Sequence, residues 1–410
     1  MLFAVALAAL LQGPAAPAAQ AQDSASAYLD PVAATLLRGA RERRARVERS
    51  IDLYRVTARE RVHAGLAAVS RDRTLFGREM AVRIEWRRGE TGSVRVLGAR
   101  EASPAATRGV SVPEDLRSEV TDLAFDPDEL QLNLFQFGAG DVGRDDDGAD
   151  VRTRRDSAGV EVEVNMEPVD PLKPGAEAHY RYRSGDTTTV RLPDGSRLRL
   201  IQLEIIPRRR EFRLLRGTLW IDEQTKGVVR SVLSTARPFD LRRDTGEEIP
   251  RVMNTFGAIR AEVSYVTVEY ALFQGRFWLP RLVAVDAKAN LGVLAGFPVR
   301  FERSYSDYEV QAAAVPEQAP ITVLAQSGDT MTARLCRLDA KTAGETCECS
   351  GNRCQRWRVE VPEDTAALLS SPDLPPPLAD GNSRLITGES RPSGRRRGSA
   401  RGPATPPPRP

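Results

Sequence analysis

Four cysteines carry the spacing most suggestive of chemistry in this chain: Cys336, Cys347, Cys349 and Cys354, in the pattern C-x10-C-x-C-x4-C. Four thiolates could hold a tetrahedral zinc ion, but the paired C-x2-C knuckles that usually build such sites are absent. Compartment favours the other reading. Leu2 to Leu11 is an apolar run of signal-peptide length, and Ala19-Gln20-Ala21 is an A-x-A cleavage signature. An exported chain meets oxidising conditions, where neighbouring cysteines form disulfides. Two bridges are therefore expected and no metal: Cys336 with one of Cys347 and Cys349, and Cys354 with the other.

Other catalytic constellations are hard to assemble. The chain has two histidines, His63 and His179, far apart in sequence and outside any H-E-x-x-H arrangement. There is no G-x-S-x-G elbow, no P-loop and no dinucleotide fingerprint. Asp141, Asp145, Asp146, Asp147 and Asp150 could offer oxygen ligands to calcium, but Gly143 breaks the EF-hand spacing, and a solvated acidic loop is expected. No catalytic residue and no cofactor is implied.

Charge narrows the partners. The 410 residues carry a formal charge of +3, which argues against a whole-domain nucleic-acid binder. Hydrophobic residues make up 41% of the chain, enough for a packed core, and no run beyond the N-terminus is long enough to span a bilayer. No transmembrane segment is thus expected after signal cleavage.

The elements that must carry any site are mostly strands. Asp30-Pro31 opens a helix, and Leu36, Ala40, Val47, Ile51 and Tyr54 recur at helical spacing, predicting an amphipathic helix over 31–53. Around Tyr54 the period changes to two: Tyr54, Val56, Ala58, Val62, Ala64 and Leu66 share one parity, interrupted by Glu60. Met80, Val82, Ile84 and Trp86 alternate with charged residues, and Gly89 to Gly92 turns the chain back into Val94 and Val96. Further hairpins are predicted at 187–205, 212–235 and 259–288, with a last strand over 299–310. In the middle hairpin, Asp222 to Gly227 forms the turn. It leaves Leu219 and Ile221 on one face of the strand and Trp220 on the other.

Successive hairpins predict an antiparallel meander, and long strands in one sheet curl as their twist accumulates. A curled sheet has a concave face to fill, and the N-terminal helix is a candidate for filling it. Trp86, Trp220, Phe277, Trp278 and Phe301 fall on predicted strands or turns. If they share the concave face, they line an apolar groove for acyl chains; the alternative is ordinary core packing.

The turn stretch Leu219-Trp220-Ile221-Asp222, Thr225-Lys226-Gly227, Val228-Val229-Arg230, with the hairpins around it, resembles the outer-membrane lipoprotein carrier (Lol-type) fold. The segment from Tyr180-Arg-Tyr-Arg-Ser-Gly-Asp186 to Pro207 and the segment from Val268 to Pro280 are similar to a group of uncharacterised exported bacterial proteins. The resemblance covers roughly residues 30 to 310. It implies a half-open curved antiparallel sheet wrapped around helices, whose concave apolar surface shelters acyl chains. The matched positions are structural, so no binding residue carries over.

The expected fold is β-rich α+β: a strongly curved, half-open antiparallel meander whose concave face is covered by N-terminal and inserted helices. The expected organisation is a signal peptide at 1–21, a Lol-like domain at 22–315, a Cys-bearing segment at 316–388 and a disordered basic, Pro-rich tail at 389–410. The expected role is non-enzymatic, in the periplasm or at the outer membrane. It is binding of lipid or a lipidated protein in the concavity, or, alternatively, docking of an envelope protein with no small ligand.

Overall fold

The computed structural model describes residues 27–68, 71–102, 110–113, 116–127, 151–156, 159–164, 168–191, 195, 197–244, 259–291, 295–313, 336, 344–350 and 353–375. The signal segment, the Asp141–Asp150 loop and the 389–410 tail lie outside the described residues.

Helix α1 (Pro31–Arg46) starts where the sequence signals it, with the Asp30 carboxylate accepting from the Ala33 amide at 2.8 Å and Pro at the first helical position. The helix is shorter than its periodicity predicted. It ends at Arg46, and a short 3-10 turn at Glu48–Ser50 leads directly into strand β1 (Ile51–Ala68). Ile51 and Tyr54, which continue the helical spacing, are fully buried strand residues. Pairing of Ile51 with Ala312, almost the whole domain away, decides the matter, and no local pattern carries that contact.

The remaining strands, in chain order, are β2 (Arg71–Arg87), β3 (Gly92–Ala102), β4 (Val110–Ser111), β5 (Val151–Asp156), β6 (Gly159–Val164), β7 (Tyr180–Arg191), β8 (Arg197–Pro207), β9 (Leu215–Asp222), β10 (Val228–Thr235), β11 (Phe239–Asp240), β12 (Ile259–Phe273), β13 (Phe277–Leu291), β14 (Ala295–Ala312), β15 (Thr346–Ser350) and β16 (Arg353–Glu360). A four-residue helix, α2 (Leu116–Glu119), precedes a 3-10 turn at Thr121–Leu123.

Among the described residues one large sheet has the order β15-β16-β3-β2-β1-β14-β13-β12-β10-β9-β8-β7, with β4 beside β3 and β11 beside β12; β5 and β6 form a separate ribbon. Two meanders are visible in that order: β1 to β3, and β7 to β14. They join through β1 and β14, which pair from Ile51 opposite Ala312 to Ala67 opposite Gly296, with register shifts between Ile51 and Leu53 and between Arg55 and Thr57. The sheet is open, because its end strands β15 and β7 do not pair with each other. Strand β16 pairs with β3 in parallel, so the Cys-bearing hairpin extends the same sheet; Tyr28 makes a further parallel bridge to Tyr182 of β7. Trp357 anchors it: the indole is 2% exposed and sits so close to Gly92 that a Cβ there would lie 2.5 Å from its ring.

The core divides in two. One cluster joins Leu36, Leu37 and Ala40 of α1 to Tyr182, Leu203, Leu219, Ile221, Val266 and Trp278 from the β7–β13 side. The other joins Tyr54, Val56, Ile84, Trp86, Val94 and Tyr305 to Leu116, Val120 and Leu123. Burying a Leu or Val side chain contributes about 1.5–3 kcal/mol. These clusters therefore account for the attachment of α1 and of the 116–123 segment to the sheet.

Candidate functional site

The turn that closes the β9–β10 hairpin is a junction. Asp222 is 1% exposed, and its Oδ2 accepts from the Thr225 amide at 2.7 Å and the Thr225 hydroxyl at 2.6 Å. Such Asx bonding is what Asp supplies to turns. The Thr225 hydroxyl oxygen accepts in turn from Trp278 Nε1 at 3.0 Å, and the Thr225 carbonyl accepts from Arg43 Nη1 at 2.9 Å. The Trp278 ring closes over Gly227 so tightly that a Cβ would lie 2.0 Å from it. At the other end of the strand, Gly217 has φ +143°, and a Cβ there would meet the Val232 carbonyl at 2.1 Å. Both glycines are thus steric requirements of one hairpin.

Beside this turn lies a cavity of about 260 Å³, counted with the open solvent at its mouth. Its walls include Arg43, Arg44, Glu48, Lys226, Tyr270 and Trp278. The enclosed part has room for about one water molecule. Arg43 ties the end of α1 to two turns, donating to the Thr225 and Arg276 carbonyls and to Glu48 Oε1. Glu48 is 2% exposed and its Oε2 has no hydrogen-bond partner. Burial pushes its carboxyl above the usual range, against the pull of Arg43. Tyr270 and Lys226 line the cavity with it, and Arg43 clamps the end of α1 to the two turns beside it.

A second group of charges lies on β1 and its neighbours. Glu60, in register with Met80 and Arg303, accepts from Arg303 Nη2 at 2.6 Å and Nε at 3.0 Å, and from Arg78 Nη2 at 3.3 Å. Arg303 also donates to the Asp122 carbonyl at 2.6 Å, and Arg78 pairs with Glu119. Burial works against the charge of Arg303, and Glu60 outweighs it, so the guanidinium holds its proton more firmly than usual. This network fastens the 116–123 segment to the sheet. Its sequence signal was the charge at Glu60 interrupting an apolar parity; the Arg43 clamp had no such signal.

The five aromatic candidates do not converge. Trp86 and Phe277, 3% and 1% exposed, belong to the cluster around Tyr54; Trp278 and Phe301, 4% and 5% exposed, belong to the cluster around α1. Trp86 stacks on Tyr54 with ring centroids 5.6 Å apart, and the Arg88 guanidinium lies over the Trp86 ring, 5.4 Å from its centroid. Trp220 is half-buried, on the face of β9 opposite the fully buried Leu219 and Ile221. Four of the five rings are therefore covered by protein side chains.

Cys336 and Cys347 form a disulfide, with Cα atoms 6.0 Å apart. Cys354 is also disulfide-bonded and lies opposite Cys349 in the β15–β16 register. His63 is buried in β1, and His179 sits in the turn before β7.

The far end of the sheet is different in character. Along β7, Tyr180 and Tyr182 are fully buried, whereas every residue from Gly185 to Arg191 is exposed. That half of β7 is thus exposed on both faces, while its neighbour β8 buries Leu200 and partly buries Leu198. Among the described residues the sulfurs of Cys336, Cys347 and Cys354 lie within 4.8 Å of one another, but disulfide bonding takes all three out of the thiolate form a metal needs.

Comparison with known proteins adds the following. No family model matches the chain, and no curated protein matches it. Solved structures do match. The chain is similar to lipoprotein-sorting domains. One, an outer membrane lipoprotein-sorting protein domain from Vibrio parahaemolyticus, is 13% identical; the match covers 68% of this chain and 93% of that one, with a TM-score of 0.24. A LolA-superfamily protein from Nitrosomonas europaea is 12% identical over 69% of this chain and 94% of that one, with a TM-score of 0.22. The MucB chain of a Pseudomonas aeruginosa MucA/MucB complex is 12% identical, over 69% of this chain and all of the other, at 0.18. The first two belong to the Lol-type group that the turn residues resemble. At these scores the likeness carries no functional weight. Among the described residues no helix is long and apolar enough to cross a membrane.

Proposed function

We propose that this chain is an exported protein of the cell envelope that acts by binding, without catalysis, and that its open sheet docks a protein partner. The Met1–Ala21 leader carries the location. The observation that carries the docking is the contrast between the two kinds of surface. Four of the five rings that could line a lipid groove are consumed in side-chain packing, while among the described residues the Gly185–Arg191 half of β7 is exposed. In this reading α1 and the 116–123 segment serve as filling for the sheet, and the sheet serves as a scaffold.

Binding of an apolar or lipidated ligand is the second reading. It draws on Leu29 and Val32, 49% and 45% exposed at the start of α1, where large apolar side chains face solvent. One experiment separates the two. The full chain, exported with its leader, is crosslinked in cells and purified, and both its protein and its lipid content are measured by mass spectrometry. A stoichiometric envelope protein without lipid supports docking. Stoichiometric lipid with no protein overturns docking in favour of the second reading.

A further inference from the structure

The bare half of β7 has a defined hydrogen-bonding pattern. Its first half is sealed by the chain before α1: the Tyr182 amide donates to the Ala27 carbonyl at 2.8 Å, the Leu29 amide donates to the Tyr182 carbonyl at 2.9 Å, and the Ser184 amide donates to Asp30 Oδ2 at 2.8 Å. So Tyr182 and Ser184 point their backbone groups away from β8. The β7–β8 register slips by one residue between Ser184 and Thr187. Ladder alternation then turns the outward groups to Thr187, Thr189 and Arg191. Thr187, Thr188, Thr189 and Val190 are β-branched and already extended, so a strand added there meets a preformed template. The segment from Thr187 to Val190 holds no charge or proline, the usual guards of an open edge.

Charge says what such a strand should carry. Arg183 is paired with Glu204 at 2.6 Å, and Arg199 with Glu223 at 2.8 Å. Arg191, by contrast, stands directly opposite Arg197, and among the described residues neither has an acidic partner. Like charges directly opposite in a ladder are destabilising. A strand added along Thr187–Arg191 would place one side chain opposite Arg191, on the face that Arg197 shares. A second copy of this edge would offer Thr187, Thr189 or Arg191 at that place, none of them acidic.

We infer that the Thr187–Arg191 edge accepts an extended segment of a partner protein as an added strand, with an aspartate or glutamate opposite Arg191. This rests on the docking reading above and assigns it a place and a chemistry.

The probes are two labelled peptides of alternating Thr and Val, one with a central Glu and one with Gln there, titrated against the full chain. The Glu peptide should bind about two- to fivefold tighter, the size of one cross-strand charge pair. Arg191→Gln should erase that difference, and Arg191→Glu should transfer the preference to a Lys peptide. Thr189→Pro removes an outward N–H without touching the β7–β8 ladder, and should weaken both peptides while leaving circular dichroism unchanged. Absence of peptide binding, equal binding of Glu and Gln peptides, or binding indifferent to Thr189→Pro would overturn the inference. If Thr189→Pro and Arg191→Glu still capture the crosslinked envelope partner at full yield, the edge is wrong and the docking reading stands.

Discussion

Trp278 donates from its indole nitrogen to the Thr225 hydroxyl at 3.0 Å, and its ring occupies the space into which a side chain on Gly227 would grow. One residue of β13 thereby fixes the turn between β9 and β10. The same turn receives Arg43 from the end of α1. A helix and two hairpins distant in sequence are locked at one point, and the consequences can be measured.

Gly227→Ala should destabilise the fold by about 1–3 kcal/mol, the usual cost of overpacking. The added methyl must displace the Trp278 ring and its bond to Thr225. Chemical denaturation followed by tryptophan fluorescence reads both the stability and the ring environment. An unchanged midpoint would contradict the packing at this turn.

Asp30→Ala should cost about 1–2 kcal/mol through loss of the helix N-cap. It also releases the Ser184 amide and hydroxyl from the Asp30 carboxylate, at 2.8 Å each. Amide exchange should accelerate in the first turn of α1 and at Ser184 together. Faster exchange in the helix alone would mean that Asp30 does not seal the β7 edge.

Glu60→Ala removes the carboxylate partner of Arg303, whose side chain is 14% exposed, and leaves Arg78 with Glu119 alone. Removing one partner of a buried ion pair costs about 3–5 kcal/mol. Replacing Glu60 and Arg303 together by Met should recover most of that loss, because no unpaired charge remains between them. Urea unfolding of the single and double variants provides the comparison.

Glu48 should give stability an unusual pH slope. Its folded carboxyl binds a proton more tightly than the unfolded chain does, because burial outweighs Arg43. The folded state then holds more protons than the unfolded state in that interval. Stability from this group is present at low pH and is lost as pH rises from the ordinary carboxylate range through the raised value. Glu48→Gln should flatten that part of the stability profile and raise stability at neutral pH.

Removing the Cys336–Cys347 bridge with paired serines should cost about 2–3 kcal/mol, the chain-entropy scale for closing so short a loop. The loss should appear locally. Amide exchange in Arg353–Glu360 should quicken while the β7–β14 meander stays protected. Uniform loss of protection would show that β16 holds the whole sheet together.

The sequence by itself determined many of the strands and their turns, though not β5, β6, β15 or β16. The period-two runs located β10 and β12 to the residue, and Asp222 with Gly227 marked the turn between β9 and β10. Those features depend on near neighbours, so local pattern carries them. Glu60 also announced itself, as a charge in an apolar row.

Only the tertiary structure decided the rest. Helix α1 stops before Ile51 because β1 pairs with β14, a contact between the two ends of the domain. The aromatics divided between two clusters because burial depends on which elements cover each face, and a strand pattern gives parity without naming the cover. That β7 ends the sheet among the described residues was invisible for the same reason. A strand reads alike whether it has one neighbour or two, and strand order is set by pairings that no local window contains.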